Sequence, residues 1–205
     1  MRIQLVSGPI EEPVDERDFK DQARLEAGDA DEDVYIKRIL KTARQWVENW
    51  TGRCLMDSTY DYWIDDWPDG DIIEIPKPPL IWTVADSLVE YVHSPTEAAG
   101  VISYTTSTWS TDEYLVDTDS IPGRIVLDYS KTWPTYTLRP YNPIRIRFDC
   151  GWTDPDDVPE PLKQAILVLA TDMYEIRQDT FIGGLIVRER ESVRHLIDDY
   201  CVDWL

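Results

Sequence analysis

The chain has 205 residues, 40 acidic against 20 basic side chains and a formal net charge of -20. That length allows one domain or two small ones, and a hydrophobic content of 42% is enough for a core and argues against wholesale disorder. Phosphate binding needs clustered Lys and Arg, so the charge balance speaks against a nucleic-acid-binding surface.

Residues 1–13 read as an extended arm, because Pro9 and Pro13 disfavour helix. A short amphipathic helix is predicted over 14–26, with Val14, Phe19, Ala23 and Leu25 as its apolar side, and Gly28 breaks it. The acids Asp29, Asp31, Glu32 and Asp33 resemble a calcium loop only in charge. An EF-hand counted from Asp29 needs Gly at its sixth position and Glu at its twelfth, where Val34 and Leu40 stand. They fit better as N-cap and first-turn acids of the next helix, predicted over 33–51. Ile36, Ile39, Leu40, Ala43, Val47 and Trp50 make its apolar face. Lys37, Arg38, Lys41, Arg44 and Glu48 make its wet face, and Gly52 stops it.

From Cys54 to Trp152 the period changes from helical to strand-like. Residues 57–65 alternate, with Tyr60, Tyr62 and Ile64 on one side. Turn signals at 67–70 and 76–79 separate further short runs at 71–75, 80–84, 88–92, 101–105, 113–117, 124–128 and 143–149. Such spacing is typical of an antiparallel sandwich or barrel. Helical period returns over 154–178. Acids and prolines open this segment, and Leu162, Ala165, Ile166, Leu169, Ala170, Met173 and Tyr174 recur at helical spacing. Leu167 and Val168 widen the stripe, as expected of a helix buried on several sides. A loop with Gly183-Gly184 as a hinge precedes a last helix over about 188–200, carrying Val193, Leu196, Ile197 and Tyr200. The expected fold class is α+β: a helical bundle formed by the N- and C-terminal helices, with an inserted antiparallel β-sandwich or barrel-like domain. The expected division is 1–53 for the N-terminal arm and helices, 54–152 for the β insert and 153–205 for the completing helices and a tail.

Catalytic chemistry finds little to stand on. His93 and His195 are the only histidines, and neither belongs to a metal-ligand pattern. The sequence has no GxSxG, P-loop or GxGxxG, and acids this abundant give a carboxylate pair no specificity. No catalytic residue, metal or cofactor is therefore expected, and the chain is not expected to be an enzyme. Cys54, Cys150 and Cys201 contain no CxxC pair and fit free thiols in a reducing compartment. No apolar run reaches membrane-spanning length, and MRIQLVSGPIEEP lacks a signal peptide's apolar core. Six of the nine tryptophans lie in the β segment, so a carbohydrate-binding β module is the alternative to a core-filling role. An exposed strip of Trp63, Trp67 and Trp109 would favour it.

An ordered set of short motifs carries a family resemblance over roughly residues 10–200. It begins with Val14, Lys20 and Arg24, the acidic loop, Ala43-Arg44, Val47-Glu48 and Thr51-Gly52-Arg53. It continues with Ile75-Pro76-Lys77-Pro78-Pro79-Leu80, Tyr114-Leu115-Val116-Asp117, Pro122-Gly123-Arg124 and Trp133-Pro134. It closes with Phe148-Asp149-Cys150-Gly151-Trp152, the run from Val158 to Ile166 and Tyr174-Glu175-Ile176-Arg177. The set resembles tailed-phage head–tail connector (adaptor) proteins of the gp6-like and phiE125 gp8-like families, found also in gene transfer agents. The ending departs from the usual Leu–Leu–Pro–Tyr-like one: here Leu196-Ile197-Asp198-Asp199-Tyr200 is followed by five residues.

The resemblance implies a structural subunit of a ring, usually dodecameric, beneath the portal protein of a virion or virion-like particle neck, made in the bacterial cytoplasm. DNA would pass through its lumen without specific binding, and a neck or tail protein would sit on the ring. For docking to the portal the expected residues are Val193, Leu196, Ile197, Tyr200, Trp204 and Leu205. For contacts with a neighbouring subunit's acids they are Lys41, Arg44 and Arg177. The acidic surface is expected to line the lumen and repel DNA.

Overall fold

The structure is a computed structural model that describes residues 2–26, 32–83, 85–175 and 191–202. The chain is α+β, with antiparallel sheets, and divides into two compact units. One comprises Met1–Pro9 and Asp57–Gly151, the other Ile10–Met56 and Trp152–Leu205.

The helical unit contains α1 (Glu16–Ala23), α2 (Asp33–Thr51), α3 (Glu160–Glu175) and α4 (Glu191–Ile197). Asp15 starts α1 with a capping box: its side chain accepts from the Asp18 N–H, and the Asp18 side chain accepts from the Asp15 N–H. Gly52, in the left-handed region at φ 71°, ends α2 where a Cβ would be strained. A 3-10 turn at Pro155–Asp157, capped by the Asp154 side chain, leads into α3. Leu162, Ala165, Ile166, Leu169 and Ala170 of α3 are fully buried. They share one core with Phe19 of α1, with Ile36, Ile39, Leu40, Ala43 and Val47 of α2, and with Val193 and Ile197 of α4. Tyr174 meets Phe19 edge-on at 5.5 Å, and its hydroxyl donates to Glu32.

The β unit contains β1 (Arg2–Ser7), β2 (Ser58–Ile64), β3 (Ile72–Ile75), β4 (Leu80–Ile81), β5 (Leu88–Ala98), β6 (Val101–Thr108), β7 (Tyr114–Asp117), β8 (Gly123–Leu127) and β9 (Ile144–Cys150). One sheet runs β1-β2-β9-β5-β6, with β4 also paired to β9; the other runs β3-β8-β7. Both sheets are open, which corrects the barrel-like alternative. The first ends in β1 on one side and β6 on the other. Ile144, Ile146, Phe148 and Cys150 of β9 are buried, while Arg145, Arg147 and Asp149 alternate with them on the other face. Gly123 of β8 lies against Leu80 of β4, where an added Cβ would stand 2.5 Å from the leucine Cβ. Only glycine allows that approach.

Residues 2–7 form an edge strand paired with β2, from Arg2 opposite Trp63 to Ser7 opposite Thr59. The sequence reading has them as an arm attached to the helical part. The alternation of Arg2, Ile3, Gln4 and Leu5 is the strand signal, and the prolines that argued against helix lie beyond it, at 9 and 13.

Candidate assembly surfaces

Charged side chains form two organised groups, one in each unit. In the helical unit Arg44 lies 2.6 Å from Glu12 and 2.7 Å from Glu48, one turn further along α2. The other Glu48 oxygen accepts from the Leu55 N–H at 3.0 Å. Burial alone would lower the Arg44 pKa, but Glu48 and Glu12 more than offset it, so the guanidinium stays charged. In the β unit Arg147 donates through Nε and Nη2 to the two oxygens of Asp61, at 2.7 and 2.8 Å. Arg145 reaches Glu90 at 2.5 Å, so this ladder crosses β2, β9 and β5. The hydrogen bond to Asp61 raises the Arg147 pKa further, against some burial.

Among the residues expected to meet a neighbour, Lys41 is exposed on α2. Arg44 is not. It is 4% exposed and paired within its own subunit, because its side chain turns back toward Glu12 and the N-terminal end of the unit. The helical spacing alone assigned it wrongly to the wet face. Arg177 lies outside the described residues.

The expected docking residues also divide. Val193 and Ile197 are buried in the helical core, a correction to their expected role as a portal-facing surface. An amphipathic face of α4 packs at home because α3 offers it apolar area. Leu196, at the flank of that face, is exposed, and Tyr200 is half-buried against the core. Arg53 Nε donates to the Tyr200 carbonyl at 2.6 Å, the Val202 N–H donates to the Thr51 carbonyl at 2.9 Å, and the Arg194 guanidinium sits 4.4 Å from the centre of the Trp50 ring. The end of the described chain is thereby tied to the C-terminal end of α2. Gly183, Gly184, Trp204 and Leu205 lie outside the described residues.

The tryptophans of the β unit gather rather than spread. Trp67 stacks on Trp133 at 5.1 Å and meets Trp109 at 5.4 Å and Tyr91 at 5.9 Å. Trp109 is buried and Trp63 carries the Arg2 guanidinium 4.8 Å from its ring centre, so Trp63, Trp67 and Trp109 form no exposed strip. His93 continues the cluster through Tyr91 and Tyr136, with its ring nitrogens 2.7 Å from the Ser94 hydroxyl and 2.9 Å from that of Ser107. It is a satisfied structural histidine. Among the described residues no group of three or more His, Cys, Asp or Glu side chains is placed to hold a metal, and no helix is long and apolar enough to cross a membrane.

This arrangement of helices and open sheets is found in solved structures. A chain in "Neck of empty GTA particle computed with C6 symmetry" matches with a TM-score of 0.74 and 22% identity, covering 100% of this chain and 97% of that one. The fold recurs in gene transfer agent necks. A chain in "Neck of native GTA particle computed with C12 symmetry" matches at a TM-score of 0.70 and 20% identity, with the same coverages. A chain in "Virion of native gene transfer agent (GTA) particle" matches at 0.68 and 20%. No protein-family model matches the sequence, and no curated protein does. At these identities the likeness establishes the shared fold, helical and β units together, from one end of the chain to the other.

Proposed function

We propose that the chain is a structural, non-enzymatic head–tail adaptor of a gene transfer agent or phage-like particle. It forms a homo-oligomeric ring of twelve subunits under the portal protein. The observation that carries this is the whole-chain fold match to a chain in a gene transfer agent neck structure. The C6 and C12 symmetry named for the neck structures supports a ring. The helical unit serves as the bundle and the two sheets as an inserted sandwich. The ring extends the DNA channel, and a neck or tail protein sits on its far side.

With a formal charge of -20 on each subunit, a ring accumulates a strongly negative field. Acids lining the lumen let DNA slide, since every Lys–phosphate contact would hold it back. Lys41 and Arg177 remain the bases offered to a neighbour's acids. Leu196, Tyr200, Trp204 and Leu205 are the residues offered to the portal, with Gly183-Gly184 as the hinge. The burial of Trp109 and the stacking of Trp67 leave little support for the carbohydrate-binding alternative.

Imaging of assembled particles tests the proposal. A ring of this chain directly beneath the portal is expected. One or two copies at the neck, or retention of the isolated protein on duplex DNA at near-physiological salt, would contradict it.

A further inference from the structure

The first sheet is left open at both ends. Every residue of β1 is exposed, including Ile3, Leu5 and Val6. β6 is exposed along most of its length, including Val101 and Ile102. Among the described residues, neither strand has a second strand neighbour. An edge strand in a soluble protein is ordinarily guarded by charge, proline or a cover, because its free N–H and C=O groups template further pairing. Among the described residues those guards are sparse. β1 carries one charge, Arg2, and β6 carries none, and neither contains proline.

The outward groups of β6 can be assigned. Val92 of β5 directs its N–H to the Pro143 carbonyl at 2.8 Å, and its own carbonyl accepts from the Arg139 N–H at 2.9 Å. Both partners lie on the side of β5 away from β6. Thr106 stands opposite Val92, so its N–H and C=O point away from β5, out of the sheet.

The identity of the occupant follows from charge and direction. A chain with a net charge of -20 repels its copies except where acids are absent. Residues 1–10 and 98–111 contain no Asp or Glu, and they hold these two edges. Each step along β1-β2-β9-β5-β6 is antiparallel, so β1 and β6 run in the same direction. Two unlike edges with one direction suit a head-to-tail contact, which closes into a ring, whereas an edge meeting itself across a two-fold axis pairs antiparallel.

We propose that β6 of one copy pairs in parallel with β1 of the next, so that the sheet continues from subunit to subunit. This deepens the ring proposal, on which it rests, by naming the contact that builds the ring. No sheet position within the subunit changes.

The test uses the full chain and two edge variants. Thr106→Pro removes an outward N–H from β6 without touching the ladder to β5. Ile3→Asp with Leu5→Asp places acids on β1. Sedimentation is measured across a concentration series, with circular dichroism to check folding. Wild type is expected to form a large oligomer and each variant alone to remain monomeric. An equimolar mixture of the two should yield dimers and nothing larger, since each variant keeps one good edge. Should Thr106→Pro lose its native circular dichroism, Val101→Lys with Ile102→Lys replaces it on the same strand. Variants that assemble like wild type would overturn the edge contact and leave the ring proposal standing. Wild type that stays monomeric at every concentration, while particle images show its ring, would also overturn the edge contact as the driver of assembly. A monomer in solution with no ring in particles would end both.

Discussion

In the helical unit the central ion pair is Arg44 with Glu48, whose side chains are 4% and 8% exposed. In the β unit the corresponding pair is Arg147 with Asp61: the aspartate is 7% exposed, much like Glu48, but Arg147 is 30% exposed on the open face of β9. The first pair is buried on both sides and also satisfies the Leu55 N–H, so losing one partner strands the others. The second is one rung of a half-exposed ladder, in which Arg145 also approaches Asp61 and pairs with Glu90. The contrast extends to the apolar groups: among the described residues one unit closes around a continuous core of four helices, and the other ends in two strands with no further strand neighbour. Burial makes a unit specific about its own partners, whereas an open edge leaves backbone groups available to another chain.

Substitutions rank the two regions. Ile166→Ala, at a fully buried α3 position, is expected to lower the stability by about 4 kcal/mol in denaturant unfolding, through lost burial and a residual cavity. A loss below about 1 kcal/mol would mean the core can collapse and is not the tight unit described. Glu48→Ala follows at about 3 kcal/mol, because it leaves the Arg44 charge with Glu12 alone and orphans the Leu55 N–H. Gly123→Ala should cost about 2 kcal/mol, since the new Cβ must displace Leu80. A neutral outcome would show that β4 and β8 can separate freely. Arg147→Ala is expected to cost about 1 kcal/mol after allowance for solvent screening. Were it to match Glu48→Ala, the distinction between fully buried pair and half-exposed ladder would fall.

The smallest effect concerns pH. Asp117 accepts from the Ser120 hydroxyl, from Arg124 Nε and from the N–H groups of Ser120 and Asp119, which together hold its pKa at about 2, against the ordinary 3.8. A depressed carboxylate pKa stabilises the folded form above the ordinary value, and that contribution fades as pH falls from about 4 through about 2. The turn between β7 and β8 should therefore loosen in that window. Carboxyl chemical shifts of Asp117 should titrate with a midpoint near 2, and Ser120→Ala should move it upward. A midpoint at the ordinary value in the intact chain would contradict the hydrogen-bonded turn.

Much of the fold was legible in the sequence because it is carried by local period. The helix predicted over 33–51 is observed at Asp33–Thr51, with Gly52 as its stop. The strand runs at 71–75, 113–117 and 143–149 appear as β3, β7 and β9 within a residue at either end. Apolar spacing also identified the five residues that α3 buries. What local period could not supply was the partner of each face. Arg44 has the spacing of a wet residue, and only the fold brings Glu12 to it across more than thirty positions. Val193 and Ile197 have the pattern of a docking stripe, and only α3 decides that they are already covered. The strand at Arg2–Ser7 was present as alternation, but its place at a sheet edge depends on β2, more than fifty residues away. Period follows from the geometry of one element, whereas burial, ion pairing and edge exposure depend on contacts between residues distant in the chain, which no single stretch of sequence contains.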